Sequence, residues 1–320
     1  MFAFTIRKLI YNIPVYLATV MIMMLLLRVQ DPVAGKLSKN PTQEEYDATK
    51  KELGLDKPFI HQYGLVLYEV ATWNFNRSMW TEPGVTVGDK LRTAVPRSLG
   101  LTIPALALTT VISIVIAMIS AFNRGRWLDR TLVFFAVLGM SISFLVYIIF
   151  GQYFGAFLLP RWLGTDVFAI YGYESPLKDW RNWPYFMLLP VLISVIVSMG
   201  YDTRFYRAVM VDETQREYIT TARAKGASQT KIMFVHMLRN AMIPIVTRVM
   251  ITLPFMVTGS ILLEKFFGIP GMGYVLLNAI DNSDFPVIEG FTAIFAGLFI
   301  LSIVATDILY AVFDPRVRLQ

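Results

Sequence analysis

Six stretches of this 320-residue chain run for 19 to 29 residues almost without charge, and that pattern decides what the chain can fold into. Residues 9–27, 98–123, 131–159 and 183–201 contain no Asp, Glu, Lys or Arg. Residues 240–263 are interrupted only by Arg248, and residues 290–312 only by Asp307. A hydrocarbon core about 30 Å thick takes roughly 20 mainly apolar residues per helix, so each run is long enough to cross a bilayer. Composition agrees: 55% of the residues are hydrophobic, 16% are charged, and mean hydropathy is +0.54. The first run lacks a small-x-small cleavage site and five more runs follow it, so it reads as an uncleaved anchor rather than a signal peptide.

Basic flanks orient the spans, because Lys and Arg are retained on the cytoplasmic side more reliably than acids are excluded from it. With the N-terminus inside, the inner segments carry Arg7 and Lys8, then Arg124, Arg126 and Arg130, then seven basic residues from Arg204 to Arg239, then Arg316 and Arg318. They hold 14 Lys or Arg against 6 acids. Both termini are therefore expected in the cytoplasm. The net charge of +6 and a pI near 9.4 follow from these flanks; they form no single patch of the kind that binds nucleic acid. With no cysteine there are no disulfides or thiolate metal sites, and two distant histidines, His61 and His236, do not suggest a metal centre.

Two polar regions stand outside the spans. Residues 28–97 follow the first anchor (1–27) and read as a small external cap, with turn signals at Asp31-Pro32, Asn40-Pro41, Lys57-Pro58 and Pro83-Gly84. A helix is expected to start at Pro41-Thr42-Gln43-Glu44 and to end at Gly54. A shorter outer segment, residues 160–184, is dense in Trp162, Tyr171, Tyr173, Trp180 and Trp183, which suit a membrane–water boundary. The second large polar region, residues 202–239, lies inside, within the core formed by residues 98–320. Thr214-Gln215-Arg216-Glu217 has capping-box spacing, which predicts a helix starting there, running to Lys225 and stopping at Gly226, where glycine accepts a left-handed turn. Ser228 can cap a second helix that leads into the fifth span.

The inner segment reads Glu217-Tyr218-Ile219-Thr220-Thr221-Ala222-Arg223-Ala224-Lys225-Gly226, followed by His236-Met237-Leu238-Arg239-Asn240-Ala241 and Pro244. It resembles the signature loop of binding-protein-dependent ABC importer permeases, in the version used by the dipeptide, oligopeptide and nickel group. Leu53-Gly54-Leu55-Asp56-Lys57-Pro58, Pro270-Gly271-Met272-Gly273 with Asp284-Phe285-Pro286, and Asp314-Pro315-Arg316-Val317-Arg318 resemble further segments of that group in the same order. The likeness spans essentially the whole chain, and the long outer segment resembles the first permease of the pair. One departure is Trp73-Asn74-Phe75-Asn76-Arg77-Ser78, where the group has a glycine-rich turn.

The resemblance implies an all-α membrane protein of the type I importer kind, with six transmembrane helices. It implies an inner-membrane subunit that forms the solute path with a second, homologous permease and receives solute from an extracytoplasmic binding protein. ATP and Mg would then sit on two cytoplasmic ATPase subunits, reached through Glu217, Tyr218, Ala222, Arg223, Ala224, Lys225, Gly226 and Ala227. Peptides are the expected solute, with nickel chelates, glutathione and other small solutes as alternatives. Taken without the resemblance, Glu217 is a helix-capping acid and Gly226 a helix stop. Arg248, Glu264 and Asp307 are ionisable residues in or at the ends of spans, hence candidates for the translocation path, or else charges reaching interfacial water.

Other classes fit less well. The chain has no Gly-x-x-x-x-Gly-Lys-Ser/Thr phosphate cradle, so ATP must be bound elsewhere. It has no His-Glu-x-x-His, Gly-x-Ser-x-Gly or Cys for a membrane enzyme. A secondary transporter or a purely structural subunit would leave the patterned 38-residue inner segment without a purpose.

Overall fold

The computed structural model is all-helical. It describes every residue except 1, 30, 32, 34–36, 38–41, 53, 76, 78, 83, 175–179 and 314–320, and omits the side chains of 2–5, 52, 180, 253–259 and 309–313. Of the expected turns, Asn40-Pro41 lies outside the described residues, Asp31-Pro32 and Pro83-Gly84 lie partly outside them, and the segment Asp314 to Arg318 lies outside them entirely. Six helices among the described residues are long and apolar enough to cross a membrane: Ile6–Leu27, Val87–Phe122, Phe144–Leu163, Trp183–Thr214, Gln229–Thr252 and Phe285–Ile308. They follow the order of the six uncharged runs.

The chain divides into two compact units, one of residues 1–98 and 270–305, the other of residues 99–269 and 306–320. In the first, α1 (Phe2–Leu27) is followed by α2 (Gln43–Glu52), α3 (Phe59–Thr72) and the start of α4 (Val87–Phe122), and later by α12 (Met272–Asp281) and most of α13 (Phe285–Phe313). The predicted helix start in the cap is made by reciprocal capping. The amide of Thr42 donates to Glu45 Oε2 at 2.9 Å, the amide of Glu45 donates to Thr42 Oγ1 at 3.4 Å, and Gly54 adopts φ +66° beyond the helix.

The cap has an ionic anchor that the sequence does not announce. Arg77 lies 2.8 Å from Glu69 and 2.6 Å from Glu289, and Asp284 accepts from the amides of Trp80 and Thr81 and from the Thr81 hydroxyl. Burial pushes the Glu69 carboxyl up even though Arg77 pulls it down. Where the group's glycine-rich turn was expected, Trp73 itself takes the left-handed conformation, φ 53° and ψ 34°, and its ring meets the buried Phe75 edge-on. An aromatic contact thus offsets backbone strain of about 1–2 kcal/mol.

In the second unit, α4 continues and is followed by α5 (Trp127–Ser141), α6 (Phe144–Gly151), a π-helical segment (Gln152–Leu158) and α7 (Leu159–Leu163). Later come α8 (Trp183–Thr214), α9 (Glu217–Ala224), α10 (Gln229–Lys231), a second π-helical segment (Ile232–Met237) and α11 (Leu238–Phe267). Residues 131–159 were expected to be one span; the structure breaks that run at Ile142 and Ser143, both with extended backbone. Gly139 is among the last four carbonyls of α5, and the Tyr147 hydroxyl donates to it at 2.9 Å. The break survives because its freed backbone is partly satisfied by a side chain. Apolar contact between spans gains nothing over lipid, so close packing has to hold them. Gly200 provides it: a Cβ there would lie 2.7 Å from the Ala136 carbonyl oxygen, so α8 rests directly on α5.

Candidate functional site

Residues 217–224 form a short helix pinned against the end of a long one. The apolar run was expected to end the fourth span at Tyr201, but α8 continues to Thr214, so residues 202–214 extend the spanning helix instead of opening a loop. The predicted capping box does not form. The Thr214 hydroxyl donates back to the Val211 carbonyl at 2.7 Å, and α9 begins at Glu217 with no side-chain cap. Thr214 is still inside α8, where a hydroxyl bonds its own preceding turn.

The far end of α9 follows the expectation. Gly226 has φ +78°, its amide donates to Arg223 O at 2.9 Å, and the Ala227 amide donates to Ala222 O at 3.1 Å. These two bonds make a complete Schellman stop. Ser228 then caps α10, its hydroxyl accepting from the Lys231 amide at 3.3 Å.

The eight residues expected in this loop divide by face. Ala222 is buried beside Ile219, and Tyr218 and Ala227 pack on the same apolar cluster, which includes Tyr206, Met210, Ile232, Met237 and Ala241. The Tyr218 hydroxyl donates to Glu213 at the end of α8. Burial, reinforced by that acceptor, pushes the phenol up to about 12. Glu217, Arg223, Ala224, Lys225 and Gly226 are exposed. The first set anchors the helix; the second forms a projecting polar surface.

Further along α8, two ion pairs tie it to its neighbours. Arg207 holds Asp129 at the start of α5 through two bonds of 2.7 Å, while Ser120 and the Gly125 amide complete the carboxylate's shell at 2.5 and 3.0 Å. The hydrogen bonds from Arg207 hold the Asp129 carboxyl well below the usual range, against the opposing effect of burial. Arg248 Nε on α11 lies 3.0 Å from Asp202 Oδ1. Sequence reasoning singled out Arg248 but took Asp202 as the start of a loop, and it passed over Asp129 and Arg207.

Arg248 and Asp202 line a cavity of about 230 Å³ together with hydroxyls of Thr102, Ser194, Ser198, Thr252 and Ser260. The other two path candidates are not among its lining residues. Glu264, expected as an exposed or locally paired interfacial charge, is fully buried and accepts from the Ser260 hydroxyl at 3.0 Å. One turn of α11 places the two side chains on the same face. Asp307 lies half-buried in the last part of α13.

Residues 113–319 match the family described as the inner membrane component of binding-protein-dependent transport systems. A probable peptide ABC transporter permease from Sinorhizobium fredii is 30% identical over 98% of this chain and 99% of its own length. A putative peptide permease from Brucella suis is 31% identical over 99% of both chains. The dipeptide transport system permease of Bacillus subtilis is 33% identical over 83% of this chain and 82% of its own. Among solved structures, the inward-facing MetNI methionine ABC transporter matches with a TM-score of 0.57 and 17% identity over 70% of this chain and 96% of that one, a likeness of fold. Family match and full-length relatives together place the chain: it belongs to the inner-membrane permeases of binding-protein-dependent ABC importers.

Proposed function

We propose that this permease carries short peptides inward, that it forms the path with a second permease of its family, and that α9 transmits ATP-driven closure of two cytoplasmic ATPase subunits. ATP and Mg belong to those subunits, and an extracytoplasmic binding protein delivers the solute. Both termini and the α9 loop then face the cytoplasm, as the basic flanks favour. The peptide reading rests on the names of the relatives; nickel chelates and other small solutes are the alternatives.

The coupling reading rests on one observation: α9 buries one face on α8 and α11 and exposes Glu217, Arg223 and Lys225 on the other. A helix held this way can sit in a groove of a soluble partner, with its charges steering association. Its motion is then the motion of α8.

The test is to solubilise the chain gently with what accompanies it, reconstitute the assembly in lipid, and compare ATPase activity with that of a Glu217→Lys, Gly226→Val variant. Gly226 has open space around a Cβ, so valine costs only the left-handed backbone, about 1–2 kcal/mol, and insertion into the membrane is retained. Expected are a stoichiometric second six-span protein, a separate ATP-binding subunit, and ATPase and transport rates that fall at least severalfold in the variant. Wild-type behaviour of the variant, with no ATPase subunit recovered, would favour secondary transport instead.

A further inference from the structure

The cavity beside α8 contains a guanidinium with only part of its bonding capacity used. Arg248 is held through Nε by Asp202, and among the described residues neither of its Nη groups has a hydrogen-bond partner. A third of its side chain, 34%, is exposed, whereas that of Asp202 is 4% exposed. Asp202 therefore fixes the position of Arg248, and Arg248 presents the remaining edge.

Arg77 in this same chain shows what such a group accommodates. It bridges two carboxylates at once, Glu69 at 2.8 Å and Glu289 at 2.6 Å. Among the described residues Arg248 has one carboxylate partner, and it borders open space where a second could sit. The planar fork of arginine matches a carboxylate with two parallel bonds, which a lysine cannot reproduce.

The rest of the lining combines Phe144, Val197 and Tyr201 with hydroxyl-bearing residues that can meet a peptide backbone. Ser194 and Ser198 lie on α8 before Asp202, and Thr252 and Ser260 on α11 beyond Arg248. At 1.5 Å per residue these positions extend about 12 Å along α8 and about 18 Å along α11 from the ion pair. An extended chain advances about 3.3–3.6 Å per residue, so this length matches roughly three to five residues. The protons of Thr252 and Ser260 go to the Arg248 carbonyl at 2.8 Å and to Glu264 at 3.0 Å, so these two hydroxyls offer acceptors to backbone amides, while Ser194 and Ser198 can donate to carbonyls.

We propose that Arg248, positioned by Asp202, binds the free C-terminal carboxylate of a short peptide in this cavity, with the serine and threonine hydroxyls meeting its backbone. The inference rests on the peptide reading above. It makes Arg248 a specificity residue for the free carboxylate, independent of side-chain sequence.

The probe is trialanine, alongside its C-terminal amide and its N-acetylated form, titrated onto the complete transporter in lipid nanodiscs without the binding protein. Expected is binding of the free acid at least about tenfold tighter than the amide, as two charge-assisted bonds would give, with little effect of N-acetylation. In Arg248→Gln the acid-to-amide ratio should collapse toward one. Arg248→Lys, which keeps the charge but loses the fork, should fall between; it supplies the ratio if the glutamine variant does not assemble. Asp202→Asn should weaken acid binding while retaining some preference.

Equal binding of acid and amide to wild type overturns the inference, as does a preference that survives in Arg248→Gln or is undiminished in Arg248→Lys. Transport of trialanine by the whole system separates the two readings. If it is transported and the ratio is one, only the carboxylate site fails; if it is neither transported nor bound, the peptide reading fails and takes the site with it.

Discussion

Removing Arg207 should destabilise the second unit far more than removing the acid it binds. The Asp129 side chain is 5% exposed and that of Arg207 25%, so the partners differ in what each faces when left alone. In Arg207→Met, Asp129 keeps its bonds from Ser120 and the Gly125 amide but loses two bonds of 2.7 Å and the opposing charge. An uncompensated buried charge costs about 3–5 kcal/mol, and the two surviving bonds place the expected loss near the low end, about 3 kcal/mol. In Asp129→Asn the stranded guanidinium can reach water, so the loss should be about 1–2 kcal/mol. The double variant removes the stranded charges together, and its cost should be well below the sum of the two singles. The assay is a double-mutant cycle on denaturant or thermal unfolding of the purified protein at pH 7. Asp129 titrates low in the fold, so its contribution is fully present above the unfolded value near 3.9 and is lost only as strong acid protonates it. Additive single effects, or a loss under 1 kcal/mol for Arg207→Met, would refute the buried-pair reasoning and class this as a surface ion pair.

Tyr218→Phe should loosen α9 from α8 by about 1 kcal/mol, read as faster hydrogen exchange of the α9 amides, because it deletes the bond to Glu213. The phenol titrates at about 12 in the fold against about 10 unfolded, so its contribution is fully present below pH 10 and is lost as pH rises through 12; α9 protection should therefore be flat from pH 6 to 9 once intrinsic exchange is normalised, and a drop in that range would contradict the assignment. Gly200→Ala puts a methyl 2.7 Å from the Ala136 carbonyl oxygen, where backbone has to move; a loss of about 1–3 kcal/mol is expected in thermal unfolding, and an unchanged transition would mean the helices are not in this contact.

The spans were legible because the bilayer imposes one strong rule, a long run without charge. That rule also explains where the reading erred. Asp202 follows the last apolar residue of its run, so charge was taken as the end of the span, but a helix can continue past its apolar stretch, as α8 does for 13 further residues. The broken third span has no proline or glycine at Ile142 and Ser143 to mark it. Gly226 was readable because only a few residue types tolerate φ +78°, and the Ser228 cap because its hydroxyl acts within one turn. The pairs Asp129 with Arg207 and Asp202 with Arg248 join residues 78 and 46 positions apart, and local pattern carries no information on such partners. An acid and a base at comparable depth on successive spans was the available signal for Asp202 and Arg248.

Under the coupling proposal, the interior of the second unit determines how far a push on α9 travels. Glu213 holds Tyr218 at one end of α8, Arg207 fixes that helix to α5 six residues earlier, and Asp202 meets Arg248 eleven residues before Glu213, about 16 Å away along the helix. Between these points Tyr206, Met210 and Val211 of α8 pack continuously with Ile219 and Ala222 of α9 and with Ala241 and Ile245 of α11. A close-packed interior does not absorb a displacement gradually; it shifts between discrete packings. Closure at the exposed face of α9 is therefore delivered to α8 and α11 together, the two helices that carry the Asp202–Arg248 pair. If that pair holds the solute's carboxylate, the same movement that couples to ATP also alters the geometry of the guanidinium that binds it, which is the differential affinity an ATP-driven pump needs in order to release its cargo.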